Sequence, residues 1–586
     1  MNLYDIFSPD DLKKCDINDL KIVASQVREI LINKASKSGG HLASNLGVVE
    51  LTIALHYVFD SPKDKIIFDV SHQSYVHKII TGRKEFFINE DISGISGYTN
   101  PDESIHDIFN IGHTSTSISL ACGLAKARDI KHGNENIIAV IGDSSLDGGE
   151  AFEGINYAGE MGSGLIVVVN DNNMSIPENH GYLSNKLSEL RTNKGECKDN
   201  YFKSLGWDYV FVEDGHNIKS LIDVFNNIKG IDRPVVVHCC TKKGKGFIFA
   251  ENNPEKWHWA HPFDIETGEY YSSVPKENYG AIVGEYLIKK MSENDKIVAI
   301  TASVPAYIGF NKDRRNKAGK QYVDVGIAEQ NAISMAAGMA RNGIKPVFVT
   351  GSSFYQRAYD QIEQEMCINH CAATLLVAFS GINGHLSNAH AGLYDIALLG
   401  NIPNLLYLAP TNKEEYIAML DWSIEQNHTP VAIRIPWNGV YHTNAKVETN
   451  YSNTKYLVEY KGKDIAIIAV GSFYQLGEEL LHLLKNKYEF NPTLINPRFI
   501  TGIDTTTLER LKKEHSIVIT LEDGILSGGF GSKIAQYYGP SDMKVLSFGF
   551  SMDIPTTFTV DEMMEKNNLK PDLMAEEILK IINNKH

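Results

Sequence analysis

Two oxygen-bearing side chains at the ends of neighbouring apolar runs are the first candidates for chemistry. Asp143 sits in NIIAVIGDS (136–144), and Asn172 closes GLIVVVNDN (164–172), 29 positions further on. A carboxylate and a side-chain carbonyl are hard ligands, the kind Mg²⁺ gathers when phosphate oxygens complete its octahedron. The main-chain carbonyl of Met174, just beyond, is a third candidate ligand. Gly142 and Ser144 flank Asp143 and are small enough for a diphosphate to approach the backbone closely. Gly148-Gly149-Glu150 reads as a helix start, whose amides would face an anion. Asp and Asn are also ordinary turn residues at strand ends, so the pair needs a second signal.

That signal is Glu329 in DVGIAEQNA (324–332). An acid at a helix start is often only a stabilising charge. Following the Asp and Asn in this order, it completes the layout of thiamine-diphosphate enzymes. In that layout a Gly-Asp-Gly triplet and a later Asn hold the metal and diphosphate. A distant glutamate exchanges a proton with the aminopyrimidine ring. Ser144 stands where the third glycine is usual.

The elements that must position these groups are legible as short runs rich in Val, Ile and Leu. Besides the two above they are 234–240, 296–303, 345–350, 374–380, 404–410, 430–436, 464–472, 516–523 and 544–550. Nearly continuous apolar runs fit strands buried on both faces, hence parallel sheets covered by helices. Their alternation with longer helical patterns predicts an α/β, doubly wound class with mainly parallel sheets. Two polar, turn-rich stretches, 265–280 and 440–455, read as linkers. The expected domains are 1–275, 276–445 and 446–586.

A chain of 586 residues is long enough for three or four domains. The net charge of −16 argues against nucleic acid or an anionic membrane surface as partner. No apolar run approaches the roughly 20 residues a spanning helix needs, and no signal-peptide pattern opens the chain. The seven cysteines are scattered, unlike a disulfide framework or zinc site. The Cys367/Cys371 pair reads as packing, and the cytoplasm is the expected compartment.

With both motifs placed, the chain resembles the 1-deoxy-D-xylulose-5-phosphate synthase family over nearly its whole length. The resemblance rests on collinear blocks: 36–62, DVSHQSYVHKIITGR (69–83), IGHTSTSIS (111–119), GGEAFEGINYAG (148–159), NDNNMSI (170–176), TKKGKGFIFAENNPEKWH (241–258) and SSFYQRAYDQ (352–361). It implies a transketolase-like fold and a homodimer. A diphosphate-binding, a pyrimidine-binding and a C-terminal domain would follow in order, the first two enclosing one thiamine diphosphate. It also implies that His113 and Ser115 contact the diphosphate and that Phe354 packs on the pyrimidine ring. His41, His72 and His258, with His390, would surround the reacting carbon, and Arg357 would help fix the substrate. Proton shuttling near neutral pH suits histidine.

The chain departs from the family where the acceptor's phosphate and hydroxyls are held. Aligned on His390 and Gly392, the usual arginine is Phe379, the usual aspartate is Leu386 and the usual threonine is Ala389. A usual tyrosine is Gly351, and Arg-Tyr-Pro-Arg-Gly becomes Arg434-Ile435-Pro436-Trp437-Asn438. Arginine suits phosphate through its planar fork, and phenylalanine offers an apolar wall instead. His385 is a further difference, a candidate acid–base or hydroxyl-binding group. The expected reaction joins a 2-keto donor such as pyruvate, after loss of CO₂, to an aldehyde other than glyceraldehyde 3-phosphate. The alternatives are transketolase-type transfer of a two-carbon ketol unit and a non-catalytic cofactor-binding paralogue.

Overall fold

The computed structural model describes residues 1–89, 94–271, 277–382, 388–436 and 439–583. Its sixteen strands form three sheets flanked by helices. The first holds β1 (Lys65–Phe68), β2 (Ile137–Gly142), β3 (Leu165–Asp171), β4 (Asp208–Val212) and β5 (Pro234–Cys240), ordered β1-β2-β3-β5-β4 and parallel throughout. The second holds β6 (Ile297–Thr301), β7 (Tyr322–Asp324), β8 (Lys345–Gly351), β9 (Thr374–Ser380), β10 (Leu406–Leu408) and β11 (Val431–Pro436). Its order is β10-β11-β9-β8-β6-β7, again parallel. The third holds β12 (Leu457–Tyr460), β13 (Asp464–Ala469), β14 (Thr493–Asn496), β15 (His515–Ile525) and β16 (Lys544–Phe550), ordered β12-β14-β13-β15-β16. Only the β12–β14 pair is antiparallel among these.

Every apolar run read from the sequence contains a strand. Five strands lie outside those runs: β1, β4, β7, β12 and β14. Four of the five are sheet edges. An edge strand is covered less completely and tolerates charge and short length, so β7 (Tyr-Val-Asp) and β12 (Leu-Val-Glu-Tyr) carry no continuous apolar signature.

The contacts gather the chain into two compact units, Met1–Val274 with Gly326–Ala328, and Pro275–Val325 with Glu329–His586. The second unit contains two sheets because they share a core. Leu408, Tyr407 and Ile433 of the six-stranded sheet cluster with Ile468, Ile495 and Val518 of the five-stranded one. Main-chain bonds from Ala409 to Arg498 and from Ile500 to Tyr407 tie the two sheets directly. Among the described residues no helix is long and apolar enough to cross a membrane.

Candidate active site

In the first unit the carboxyl ends of β2 and β3 lie side by side, Gly142 opposite Asn170. That register brings Asp143 and Asn172 together. Asp143 accepts from the main-chain amides of Ser144 (2.8 Å), Asn172 (3.1 Å) and Asn173 (2.6 Å). The Asn172 side-chain oxygen accepts from the Met174 amide at 3.2 Å. Ser144 donates its hydroxyl to Asn179 at 2.6 Å, and the helix Gly149–Met161 begins where expected.

Asp143 is buried. Burial, and then the neighbouring Asp171 carboxylate, push its pKa up. Among the described residues it receives only uncharged donors. Asp171, by contrast, is held in its charged form against burial by His238 (2.7 Å) and by Arg191. A buried carboxylate beside an amide oxygen, at a strand end where a loop carbonyl follows, is a donor set that fits a hard divalent ion. Asp171, Arg191 and His238 were not singled out in the sequence, although Asp171 lies in the same NDNN segment.

His113 and Ser115 lie on the loop entering the helix Ser117–Ile130. Ser115 takes φ +72. The loop is pinned by Asp69, which accepts the amides of Ser115 (2.8 Å) and Ser117 (3.0 Å). Ser115 donates its hydroxyl to the Ser145 carbonyl at 2.8 Å. A Cβ on Gly148 would come within 2.1 Å of that hydroxyl, so the close approach of these two loops requires glycine there. Asp69 also leads into Val70 (φ +59) and Ser71 (φ +65). A β-branched residue in the left-handed region is rare and strained, and here Val70 and Ser71 together lead directly into His72.

His41, His72 and His258 form a triangle, with ring centroids 5.0, 5.4 and 5.5 Å apart. Its geometry is made by the backbone. Gly40 and Ala260 exchange both main-chain hydrogen bonds (2.9 and 2.8 Å), and Ala43 donates to the Trp257 carbonyl at 3.0 Å. This pairing sets His41 against His258. Asn45, fully buried, donates to the carbonyls of His41 and His72, each at 2.8 Å. Burial pushes the His72 pKa down to about 3, helped by Lys243, and the same causes with the other imidazoles hold His258 far below the usual range. Both are therefore neutral near pH 7. Their Nδ1 atoms are buried with no hydrogen-bond partner among the described residues, an arrangement that leaves donors and acceptors for a substrate.

Lys243 was missed in the sequence, though it lies inside the matched TKKGKG segment. It is buried, and its ammonium donates to the Ser175 carbonyl. Burial lowers its pKa to about 8, against the pull of Asp143 and Glu255. Only the fold reveals that this lysine, alone of the three in the segment, turns inward.

In the second unit Glu329 opens the helix Glu329–Arg341 and is 4% exposed. Burial pushes its pKa up, and Arg357, with Nη1 3.8 Å from Oε2, partly restores the charged form. Phe354 and His390 meet edge to face at 5.6 Å. The structure thus brings Glu329 against Arg357, and Phe354 against His390.

The divergent positions are aromatic or internally paired. Phe379 (φ +54) lies edge-on to Tyr307 at 4.5 Å. A Cβ on Gly351 would press to 3.1 Å from the Phe354 ring, so the packed aromatic rings occupy that space. Arg434 is 2% exposed. Its Nε and Nη2 donate to Asp395 at 2.7 and 3.1 Å, and its Nη1 donates to Asp523. His385, Leu386, Trp437 and Asn438 lie outside the described residues.

Three profiles of known families match the chain in order. One described as 1-deoxy-D-xylulose-5-phosphate synthase covers residues 3–199 and 194–241. The transketolase pyrimidine binding domain covers 276–440 and the transketolase C-terminal domain 454–570. With the three α/β sheets, they define a transferase of transketolase-like fold that works with thiamine diphosphate. Proteins named 1-deoxy-D-xylulose-5-phosphate synthase are similar along the chain. That of Alkaliphilus oremlandii is 41% identical over 91% of each chain, and that of Caldanaerobacter subterraneus subsp. tengcongensis 39% identical over 98% of each. The chain belongs to the 1-deoxy-D-xylulose-5-phosphate synthase family. Among solved structures, the transketolase of Campylobacter jejuni subsp. jejuni matches with a TM-score of 0.45 and 15% identity, over 97% of this chain and 100% of that one.

Proposed function

We propose that this family member is a cytoplasmic, homodimeric carboligase that decarboxylates pyruvate or a related 2-keto acid and adds the two-carbon unit to an aldehyde carrying no phosphate. With pyruvate the balance is CH₃COCOO⁻ + RCHO + H⁺ → CH₃COCH(OH)R + CO₂. When bound, thiamine diphosphate supplies the carbon nucleophile and the electron sink. Asp143, Asn172 and the Met174 carbonyl would hold Mg²⁺. Gly142, Ser144, His113 and Ser115 would line the diphosphate. Phe354 would pack on the pyrimidine ring, and Glu329 would hold and return a proton at its nitrogen. His41, the neutral His72 and His258, and His390 would donate and accept protons at the carbonyl oxygens of donor and acceptor. Arg357 would orient the donor carboxylate. The cytoplasm is supported by seven cysteines that are all free thiols.

The observation that carries the acceptor assignment is Arg434. Its guanidinium is committed to Asp395 and Asp523 inside the fold, so it has no fork to offer a phosphate. With Phe379 in place of the second arginine, about 1.5–3 kcal/mol is forgone for each charged hydrogen bond not made. The test is kcat/KM of the purified enzyme, with Mg²⁺ and thiamine diphosphate, for glyceraldehyde 3-phosphate against unphosphorylated aldehydes. The unphosphorylated acceptors should be preferred. A strong preference for the phosphate ester would refute the assignment.

A further inference from the structure

His258 lies between two tryptophans with opposite fates. Trp257 is 1% exposed, packed edge to face among Phe247 and Phe263 at 5.0 and 4.7 Å. Trp259 is 38% exposed, yet its ring meets His41 perpendicularly at 4.6 Å. The main-chain pairing of Gly40 with Ala260 holds the adjoining backbone, so Trp259 stands as a wall at the histidine triangle. Tyr98, 7% exposed, meets the same imidazole at 5.9 Å. Its loop is anchored by Asp107, which accepts the Asn100 amide at 2.8 Å and pairs with Arg83 at 2.7 Å. His41 is thus flanked by two aromatic rings, one of them open to solvent. A large apolar ring standing open beside the histidine triangle gives an apolar body next to it a surface to bury against.

We infer that Trp259, with Tyr98, forms an apolar acceptor subsite, and that the acceptor is an aldehyde with an aliphatic or aromatic body. This rests on the proposed phosphate-free acceptor and narrows it from any neutral aldehyde to an apolar one. The neutral imidazoles of His72 and His258 suit such a substrate, because they add no charge that an apolar body would have to desolvate.

The test uses the full-length enzyme with Mg²⁺, thiamine diphosphate and pyruvate, following CO₂ release. The acceptors are benzaldehyde, hexanal, glyceraldehyde and glyceraldehyde 3-phosphate, compared for the wild type, Trp259→Ala and Trp259→Phe. The wild type should have a lower KM for benzaldehyde and hexanal than for glyceraldehyde. Trp259→Ala should raise the benzaldehyde KM by about 10-fold or more relative to that of glyceraldehyde, and Trp259→Phe should recover part of it. Circular dichroism and the Tm of each variant establish that it is folded. If glyceraldehyde is preferred, or if Trp259→Ala shifts all aldehydes alike, the apolar subsite is overturned while the phosphate-free reading stands. If glyceraldehyde 3-phosphate is preferred, both fall.

Discussion

The side-chain amide of Asn45 donates to the main-chain carbonyl of His72 at 2.8 Å, and its second donor reaches the carbonyl of His41 at the same distance. Its oxygen accepts the Tyr75 amide at 2.9 Å. One buried side chain therefore fixes two members of the histidine triangle through their backbones, without touching either ring. Asn45→Leu keeps the branched shape and removes all three bonds. At about 1–3 kcal/mol for each buried group left unsatisfied, kcat/KM should fall by roughly 10–100-fold. The Kd for thiamine diphosphate, read by calorimetry, should change little. An equal loss of cofactor binding would show a general collapse rather than a positioning role.

Glu329 and Arg357 make a second pair whose consequence is read in pH. Burial favours the neutral carboxyl, and Arg357 at 3.8 Å favours the charged one. Removing the arginine charge in Arg357→Met leaves burial unopposed, so the Glu329 pKa rises further. The acid limb of the kcat/KM profile should move to higher pH. Glu329→Gln should lose about 10²-fold or more of activity while cofactor still binds. A profile for Arg357→Met that overlays the wild type would disconnect the two groups.

Burial and the neighbouring Asp171 both disfavour the charged form of Asp143, and a divalent cation bound there should stabilise it. Mg²⁺ with thiamine diphosphate should raise the Tm, by mass action on the folded state, and a chelator should reverse the rise. Asp143→Asn keeps the size and removes the charge. Its Tm should then be insensitive to Mg²⁺, a readout independent of turnover. A full Mg²⁺-dependent shift in that variant would place the metal elsewhere.

The Arg28–Glu50–His216 cluster predicts an acid-sensitive fold. Glu50 binds Arg28 through two 2.6 Å bonds and His216 at 2.9 Å. Burial opposes its charged form, but these partners hold its pKa at about 2, below the usual 4.5. A depressed carboxylate contributes stability that is complete above pH 4.5 and lost as pH falls towards 2. The size is about 3 kcal/mol. Denaturant unfolding of Glu50→Gln should show a lower stability at pH 7 and a shallower loss on acidification. The same acid slope as the wild type would remove Glu50 as its source.

Much of the site was legible in the chain because its residues are bound to element ends. Asp143 and Asn172 close strands that pair in register, and Glu329 opens a helix. Apolar runs announce such elements, so motif order alone singles out these groups as candidates. Lys243 was not legible: three lysines alternate with glycine in its segment, and nothing local says which one turns inward. Asn45 was equally silent, since a buried asparagine is recognised only by the carbonyls it serves. Arg434 reads in the sequence as a retained phosphate ligand. Its engagement with Asp395, 39 positions away, and with Asp523, 89 away, is visible only in the fold.

By itself, then, the sequence determined the cofactor class, the parallel α/β architecture and the order of the motifs. All three follow from short-range patterns: period, polarity and spacing within a strand and the turn after it. The tertiary structure decided what each charged or aromatic group faces. Desolvation and pairing depend on atoms brought from distant segments, and these set which histidines are neutral, which arginine is occupied and which tryptophan stays open.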